Sequence, residues 1–288
     1  MVITNTHNRM HTKYKYLFTL LAFCLGLPAA LGYVMGPDNR VEVADQQSQL
    51  AAVRQTGMIR IEAEEFVSGL LTGANCDVVI SAGHAAIYWE SVARKGWLKG
   101  ALRGQGMFRF NLDPKTWAAW LSMALVNSGY EQADNVGKDE HDWSIFRLNA
   151  PALPACEIVR VMPAGADCEG DLLMTGFHFD KPETKLLEQG CSLKNTTDKG
   201  LIVHDCDSKD GSSGAPLFCR DNAKLSLLAI NISGLASKDY FDAGVYGKSG
   251  SAFNERQHKN FAIAIGGAFY RALILELKAS AERRLLVD

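Results

Sequence analysis

Three short stretches of the chain carry residue types that together can perform acyl transfer. Val79-Ile-Ser-Ala-Gly-His84 is an apolar run that ends on a histidine. Glu140-His-Asp142-Trp-Ser-Ile-Phe-Arg-Leu148 sets an acidic residue at the mouth of a second run, and Asp205-Cys-Asp-Ser-Lys-Asp-Gly211-Ser-Ser213-Gly-Ala-Pro216 is a Gly/Ser turn leading into a third. Nucleophilic acyl transfer needs a hydroxyl, a neutral imidazole to take its proton and a carboxylate that fixes the imidazole's tautomer. It also needs backbone N–H groups that hold the oxyanion. Ser213 supplies the hydroxyl, His84 the base and Asp142 the orienting carboxylate. In the Gly-x-Ser-Gly turn the amides of Gly211 and Ser213 can converge on a developing oxyanion, and Gly211 suits a backbone conformation that a Cβ would hinder.

The order of these groups discriminates among folds. A nucleophile-elbow hydrolase runs Ser, Asp, His and carries Gly-x-Ser-x-Gly. Here the order is His84, Asp142, Ser213, with Ala215 where the last glycine would stand, so that architecture is excluded. The separations of 58 and 71 residues put base and carboxylate in one half of the chain and nucleophile in the other, as a site between two β-barrels requires. The elements that position them read as short strands: Met58–Ile61, Asp77–Ser81, Trp143–Leu148, Asp171–Phe177, Leu201–His204, Ala215–Phe218, Leu225–Ile232 and Phe261–Ile265, punctuated by Gly, Asn and Asp. Two helices are predicted among them. Asp113-Pro114 begins one over about 114–128, with Trp117, Trp120, Leu121, Ala124 and Leu125 on one face and Gly129 as its stop. The other spans about 267–286, with Phe269, Leu273, Ile274 and Leu277 on its apolar stripe.

Composition bounds the remaining possibilities. The 288 residues are 47% hydrophobic and 22% charged, which excludes wholesale disorder. Residues 1–32 hold three of the 30 basic side chains and no acidic one, then an apolar run ending in Pro28-Ala-Ala-Leu-Gly32. This is the pattern of a signal peptide, with small residues at Ala30 and Gly32 for cleavage. Over residues 33–288 the formal charge is −5 and no Lys/Arg run occurs, so nucleic acid has no electrostatic support as a partner. Cys24 falls in the leader, leaving Cys76, Cys156, Cys168, Cys191, Cys206 and Cys219, an even set that in an exported chain suggests up to three disulfides. None forms a CxxC pair, and His204-Asp205-Cys206 alternates across a strand, so no metal and no cofactor are expected.

With these residues in place, the sequence resembles the trypsin-like (chymotrypsin-fold) serine peptidases, and among them the bacterial branch related to glutamyl endopeptidases of the V8 type. Ser81-Ala-Gly-His84 is similar to that family's Thr-Ala-Ala-His. Asp142-Trp-Ser-Ile-Phe-Arg-Leu is similar to Asp-(Trp/Ile)-Ala-Leu-x-x-Leu, and His204-Asp-Cys-Asp through Pro216 to the nucleophile segment. Fainter echoes are Met35-Gly-Pro-Asp-Asn-Arg-Val-Glu-Val, Ala229-Ile-Asn-Ile-Ser-Gly234 and Asn260-Phe-Ala-Ile-Ala-Ile. The resemblance implies a Cys191–Cys206 disulfide; Cys219 with Cys168 is a guess beyond it, and with Ala85 after the histidine Cys76 must find another partner. Ser212 precedes the nucleophile, so the acid that pairs with a freshly cut terminus in animal trypsins is missing. For the S1 pocket it implies Asp207, Asn231, Ser233 and Gly234. Asp207 stands at the spacing of trypsin's specificity carboxylate, yet an Asp here can equally brace the turn. Asn231 holds the place of the glutamyl enzymes' histidine, which disfavours Glu specificity.

The expectation is thus an all-β chain of two six-stranded antiparallel β-barrels with a C-terminal α-helix: residues 1–32 a signal peptide, 33–150 the first barrel, 151–288 the second with the helix. The expected function is a secreted or periplasmic serine endopeptidase, a monomer acting on protein or peptide, with no stable membrane partner after signal removal. The alternative is a catalytically silent secreted binding module on the same fold, and an esterase would use the same groups.

Overall fold

The computed structural model describes residues 34–286 except 36, 44–48, 61–65, 92–97, 103–104, 110–119, 132–138, 154, 163–167, 222–223 and 237–257. The expected signal peptide and the first half of the expected helix, with Asp113, Pro114 and Trp117, lie outside the described residues. Strand β1 (Val41–Glu42) precedes a five-residue helix, Ala51–Gln55, and the strands β2 (Thr56–Arg60), β3 (Phe66–Thr72) and β4 (Val78–Ser81). Then come β5 (Ile87–Ser91) and β6 (Leu98–Leu102), which pair as a two-stranded ribbon, followed by β7 (Gln105–Arg109), β8 (Leu121–Ser128) and β9 (Ser144–Leu148). Strands β2-β3-β4-β9-β8-β7 close into a barrel.

Strand β8 corrects one expectation. Leu121–Ser128 is strand, not the second half of a helix. Met123 pairs with Gly106 on one side and Leu148 on the other, so the segment completes the barrel by hydrogen bonding along both edges. That tertiary gain overrides the local 3.6-residue spacing of Leu121, Ala124 and Leu125.

The second half contributes β10 (Asp171–His178), β11 (Lys181–Cys191), β12 (Leu193–Thr196), β13 (Leu201–His204), β14 (Pro216–Asp221), β15 (Lys224–Ala236) and β16 (His258–Ala264). With β1 they form an eight-stranded sheet in the order β1-β11-β10-β14-β15-β16-β13-β12; only Ser192 separates β11 from β12, so the chain itself joins the two sides of this order, as in the second barrel expected. Strand β1 pairs with β11 along its other edge, with Val41 opposite Leu187 and Glu42 opposite Leu186. The N-terminal segment therefore belongs to the second sheet rather than to the first barrel. Cys191 at the end of β11 is bonded to Cys206 just beyond β13.

Two further disulfides join Cys168 to Cys219 and Cys76 to Cys156. The last spans 80 residues of sequence. Removing it with Cys76→Ala and Cys156→Ala should lower stability by about 4 kcal/mol, through the freedom returned to the unfolded chain. The denaturant midpoint of the double variant checks this; an unchanged midpoint would mean that the bond contributes nothing.

The main core runs between barrel and sheet, from Leu70, Ile80 and Ile145 to Leu173, Phe218 and Ile230. The helix Gly267–Leu285 covers it with Phe269 and Leu273, at the four-residue spacing that keeps them on one face. Phe269 stacks on Trp143 with ring centroids 4.9 Å apart. Farther along the helix Glu276 takes two bonds from Arg147, at 2.8 Å each, and Ser280 and Arg283 both bond to buried Asp77. Among the described residues no helix is long and apolar enough to cross a membrane.

Candidate active site

Strand register brings base and carboxylate together. β4 and β9 are antiparallel neighbours with Ser81 opposite Ser144 at their ends. The chain leaving β4 turns through a 3-10 segment, Gly83–Ala86, and the chain entering β9 arrives through another, Asp139–His141. His84 and Asp142 therefore meet at one end of the barrel. The approach is close: a Cβ on Gly83 would stand 2.7 Å from the Trp143 nitrogen. Asp142 Oδ1 accepts the His84 backbone N–H at 2.7 Å, and Oδ2 accepts from Nδ1 at 2.8 Å. Both carboxylate oxygens are thus spent on one histidine, which leaves Nε2 as its basic nitrogen.

Electrostatics favour the same roles. Burial works against the His84 imidazolium, but the charge and hydrogen bond of Asp142 outweigh it, so its pKa is raised above the ordinary 6.5. Tyr130 stands behind the pair with its hydroxyl donating to Asp142; burial first, then the Asp142 charge, push its ionisation far up. Its segment is laced to the strand that follows Asp142. Ser128 Oγ and the Gly129 N–H both donate to the Trp143 carbonyl, at 3.1 and 3.0 Å, and the Tyr130 N–H donates to Ser128 Oγ at 3.1 Å.

The nucleophile turn lies between β13 and β14 and is held against the first barrel. The Ser68 N–H donates to the Ser213 carbonyl at 2.7 Å, and Ser68 Oγ donates to the Gly211 carbonyl at 3.0 Å while accepting the Phe177 N–H at 2.8 Å. Gly214, at φ +82°, comes so near Ser68 and Ser81 that a Cβ would collide with the Ser68 carbonyl and Ser81 Oγ. Ser81 lies three residues before His84, so this contact packs the residue after Ser213 against the strand that leads to His84. The Ser213 hydroxyl donates to the Ile232 carbonyl at 3.2 Å, and no hydrogen bond joins it to His84 in this state.

Peptide planarity shows how the Gly211 and Ser213 amides are aimed, since the C=O and N–H of one trans unit point in opposite directions. The Asp210 carbonyl accepts the Phe179 N–H at 2.7 Å, which turns the Gly211 N–H the other way. The Ser212 carbonyl accepts from Ala215 N at 2.8 Å and from Asn231 Nδ2 at 3.2 Å, which does the same for the Ser213 N–H. Among the described residues neither amide donates to a protein acceptor. Gly211 sits at φ +91°, with the site of a Cβ only 2.7 Å from Phe66 Cε2, so glycine is required there.

Two of the expected specificity residues are occupied otherwise. Asp207 is buried, with Oδ1 accepting the Met35 N–H at 2.7 Å and Oδ2 the Asn39 N–H at 2.8 Å. Its own N–H donates to Glu188, whose carboxyl is pushed up to about 8 by burial and then by the Asp207 charge. Both carboxylate oxygens of Asp207 serve the N-terminal segment, so of its two readings the structure matches the brace. Asn231 is also buried, in a network with His204 Nε2 at 3.1 Å, Ser208 Oγ at 3.3 Å and Ser212 Oγ at 3.1 Å beneath the turn. It supports the turn from below. Burial holds His204 down at about 4, so it stays neutral within this network. Ser233 and Gly234 lie on β15, opposite Phe261 and Asn260 of β16.

Sequence reasoning missed Ser68, Ser81 and Tyr130. Ser68 and Ser81 are ordinary strand residues whose importance arises only when the halves of the chain meet, and Tyr130 follows a glycine read as a helix stop. Among the described residues no cluster of His, Cys, Asp or Glu could hold a metal ion.

No protein-family model and no curated relative matches the sequence. Solved structures do. A Glu endopeptidase in complex with MPD superposes with a TM-score of 0.62 at 15% identity, over 85% of this chain and 99% of that one. The protease Anisep from Arthrobacter nicotinovorans gives 0.55 at 15%, over 76% and 94%. A thermostable serine protease, AL20, from an extremophilic microorganism gives 0.54 at 14%, over 77% and 96%. At such identities the likeness is one of fold. The chain has the trypsin-like, chymotrypsin-type fold of the serine peptidases.

Proposed function

We propose that the chain is an exported serine endopeptidase that works through Ser213, His84 and Asp142. The observation that carries this reading is the pair of bonds from Asp142 to His84, beside a turn whose two amides are aimed away from every protein acceptor described. Ser213 turns its hydroxyl from Ile232 to His84 Nε2, which takes the proton as Oγ attacks the substrate carbonyl. The N–H groups of Gly211 and Ser213 receive the oxyanion. His84 then returns the proton to the leaving amine, the C–N bond breaks, and water activated by the same imidazole hydrolyses the acyl-Ser213 ester. Three disulfides fit an oxidising compartment, in keeping with export. Neither Asp207 nor Asn231 is placed to choose a charged P1 side chain, so the preference of the pocket is not that of a basic or glutamyl site read from those positions.

The test is hydrolysis of an unfolded protein substrate and of a small activated ester by protein purified after export of the full chain. Cleavage of both supports the endopeptidase, cleavage of the ester alone makes it an esterase, and cleavage of neither by folded protein leaves the binding module. The pH profile is a further expectation. His84 must be neutral to accept the serine proton, and its pKa is raised, so kcat/KM should climb with pH through a midpoint above 6.5. A midpoint below that value would contradict the pairing with Asp142.

A further inference from the structure

The N-terminal segment does more than add β1 to the sheet, because it ends in a buried arginine wired to the nucleophile turn. Only 2% of the Arg40 side chain is exposed. Nε and Nη2 donate to the two oxygens of Asp38 at 2.9 and 2.8 Å. Nη1 and Nη2 donate to the two oxygens of Asp180 at 3.1 and 2.6 Å, and Nη1 donates to His178 Nδ1 at 3.0 Å. All five guanidinium N–H bonds are therefore committed in one fixed fork, which a lysine could not reproduce. Burial, then the neighbouring Arg40 charge, hold His178 down at about 3, so it stays neutral and can accept.

Between His178 and Asp180, both gripped by this fork, lies Phe179. Its N–H is the donor that fixes the Asp210 carbonyl at 2.7 Å. The next link is covalent: the Asp210 carbonyl and the Gly211 N–H share one planar peptide, and turning one turns the other. At its other end the same segment reaches the start of the turn, where Asp207 accepts the Met35 and Asn39 N–H groups. Residues 35–40 thus hold the nucleophile turn at both ends.

We propose that Arg40 is a positioning residue for the oxyanion site, holding the Gly211 N–H in its active orientation through Asp180, His178 and the Phe179 N–H. The inference rests on the acyl-transfer reading above. Without the guanidinium, Asp38 and Asp180 lose their shared countercharge and the Phe179 turn loses its anchor. The Asp210–Gly211 peptide is then free to rotate, and one oxyanion donor leaves the site. Losing a single such donor costs about 10²–10³ in kcat, and the loss falls on the transition state rather than on substrate binding.

The test compares Arg40→Ala, Arg40→Lys and Asp180→Asn with the wild-type exported protein, with Ser213→Ala as the blank. The rate of labelling by a fluorophosphonate, whose phosphoryl oxygen needs the oxyanion site, is measured per folded molecule below each melting midpoint. Kinetics on a small activated ester are read in parallel. Asp180→Asn keeps the Arg40–Asp38 pair and replaces a side chain that is 39% exposed, so it remains informative if Arg40→Ala does not fold. The expected result is labelling slowed about 10²-fold in the folded variants, with kcat reduced and KM nearly unchanged. A lower melting temperature with labelling at the wild-type rate would make Arg40 purely structural and overturn the inference. Wild-type protein that does not label would instead remove the acyl-transfer reading on which it rests.

Discussion

Ser213→Ala should lower kcat by about 10⁶-fold, the loss typical when the nucleophile of a working triad is removed. The residue left behind should not disturb the fold. The hydroxyl makes a single described bond, to the Ile232 carbonyl at 3.2 Å, and losing such a bond costs roughly 1 kcal/mol. The backbone bonds that shape the turn, from Ser68 N to the Ser213 carbonyl and from Ala215 N to the Ser212 carbonyl, do not involve the side chain. Melting temperature should therefore change little while turnover disappears. Turnover of the unfolded protein substrate by Ser213→Ala at the wild-type rate would remove Ser213 from the chemistry.

The second large effect is expected at Asp142. Asparagine has the same shape, but one of its two terminal atoms donates instead of accepting. Asp142 Oδ1 now accepts the backbone N–H of His84, and Oδ2 faces Nδ1 at 2.8 Å. The backbone N–H can only donate, so the amide of Asp142→Asn must set its oxygen there and its NH₂ against Nδ1. That forces Nδ1 to accept and moves the ring proton to Nε2, where it blocks the base. A fall of about 10⁴-fold in kcat follows from the wrong tautomer alone. The variant also loses the charge that raises the His84 pKa, so the midpoint of its residual pH profile should move down. A variant that kept full activity, or an unmoved midpoint, would show that Asp142 does not govern His84.

How much of this was legible in the sequence depends on whether the cause is local. His84, Asp142 and Ser213 could be singled out as candidates because each sits beside a strand whose apolar run is visible in the chain, and their order selects the architecture. The Cys191–Cys206 bond agrees with the pairing implied by resemblance, the Cys168–Cys219 bond with a pairing that was only guessed, and Cys76 found its partner in Cys156. What could not be read is set by encounters between distant segments. Leu121–Ser128 has helical spacing and becomes strand because β7 and β9 offer it two edges. Asp207 stands at the spacing of a specificity carboxylate, but its side chain meets Met35 and Asn39, which are 172 and 168 residues away in sequence. The outer edge of β11 is likewise covered by β1, only two residues long, arriving from the far end of the chain. Arg40 left a trace, since it lies within the Met35–Val43 stretch that echoes the glutamyl enzymes, but nothing in the sequence tied it to Asp180.

The most direct test of the central claim is fluorophosphonate labelling of the purified protein, with Ser213→Ala as control. The reagent reacts only where a hydroxyl, its base and its oxyanion amides are assembled together. Covalent labelling of wild-type protein at Ser213, absent from the variant, is the result this structure predicts. A folded wild-type protein that takes up no label would contradict it and leave the fold without the acyl-transfer chemistry assigned to it.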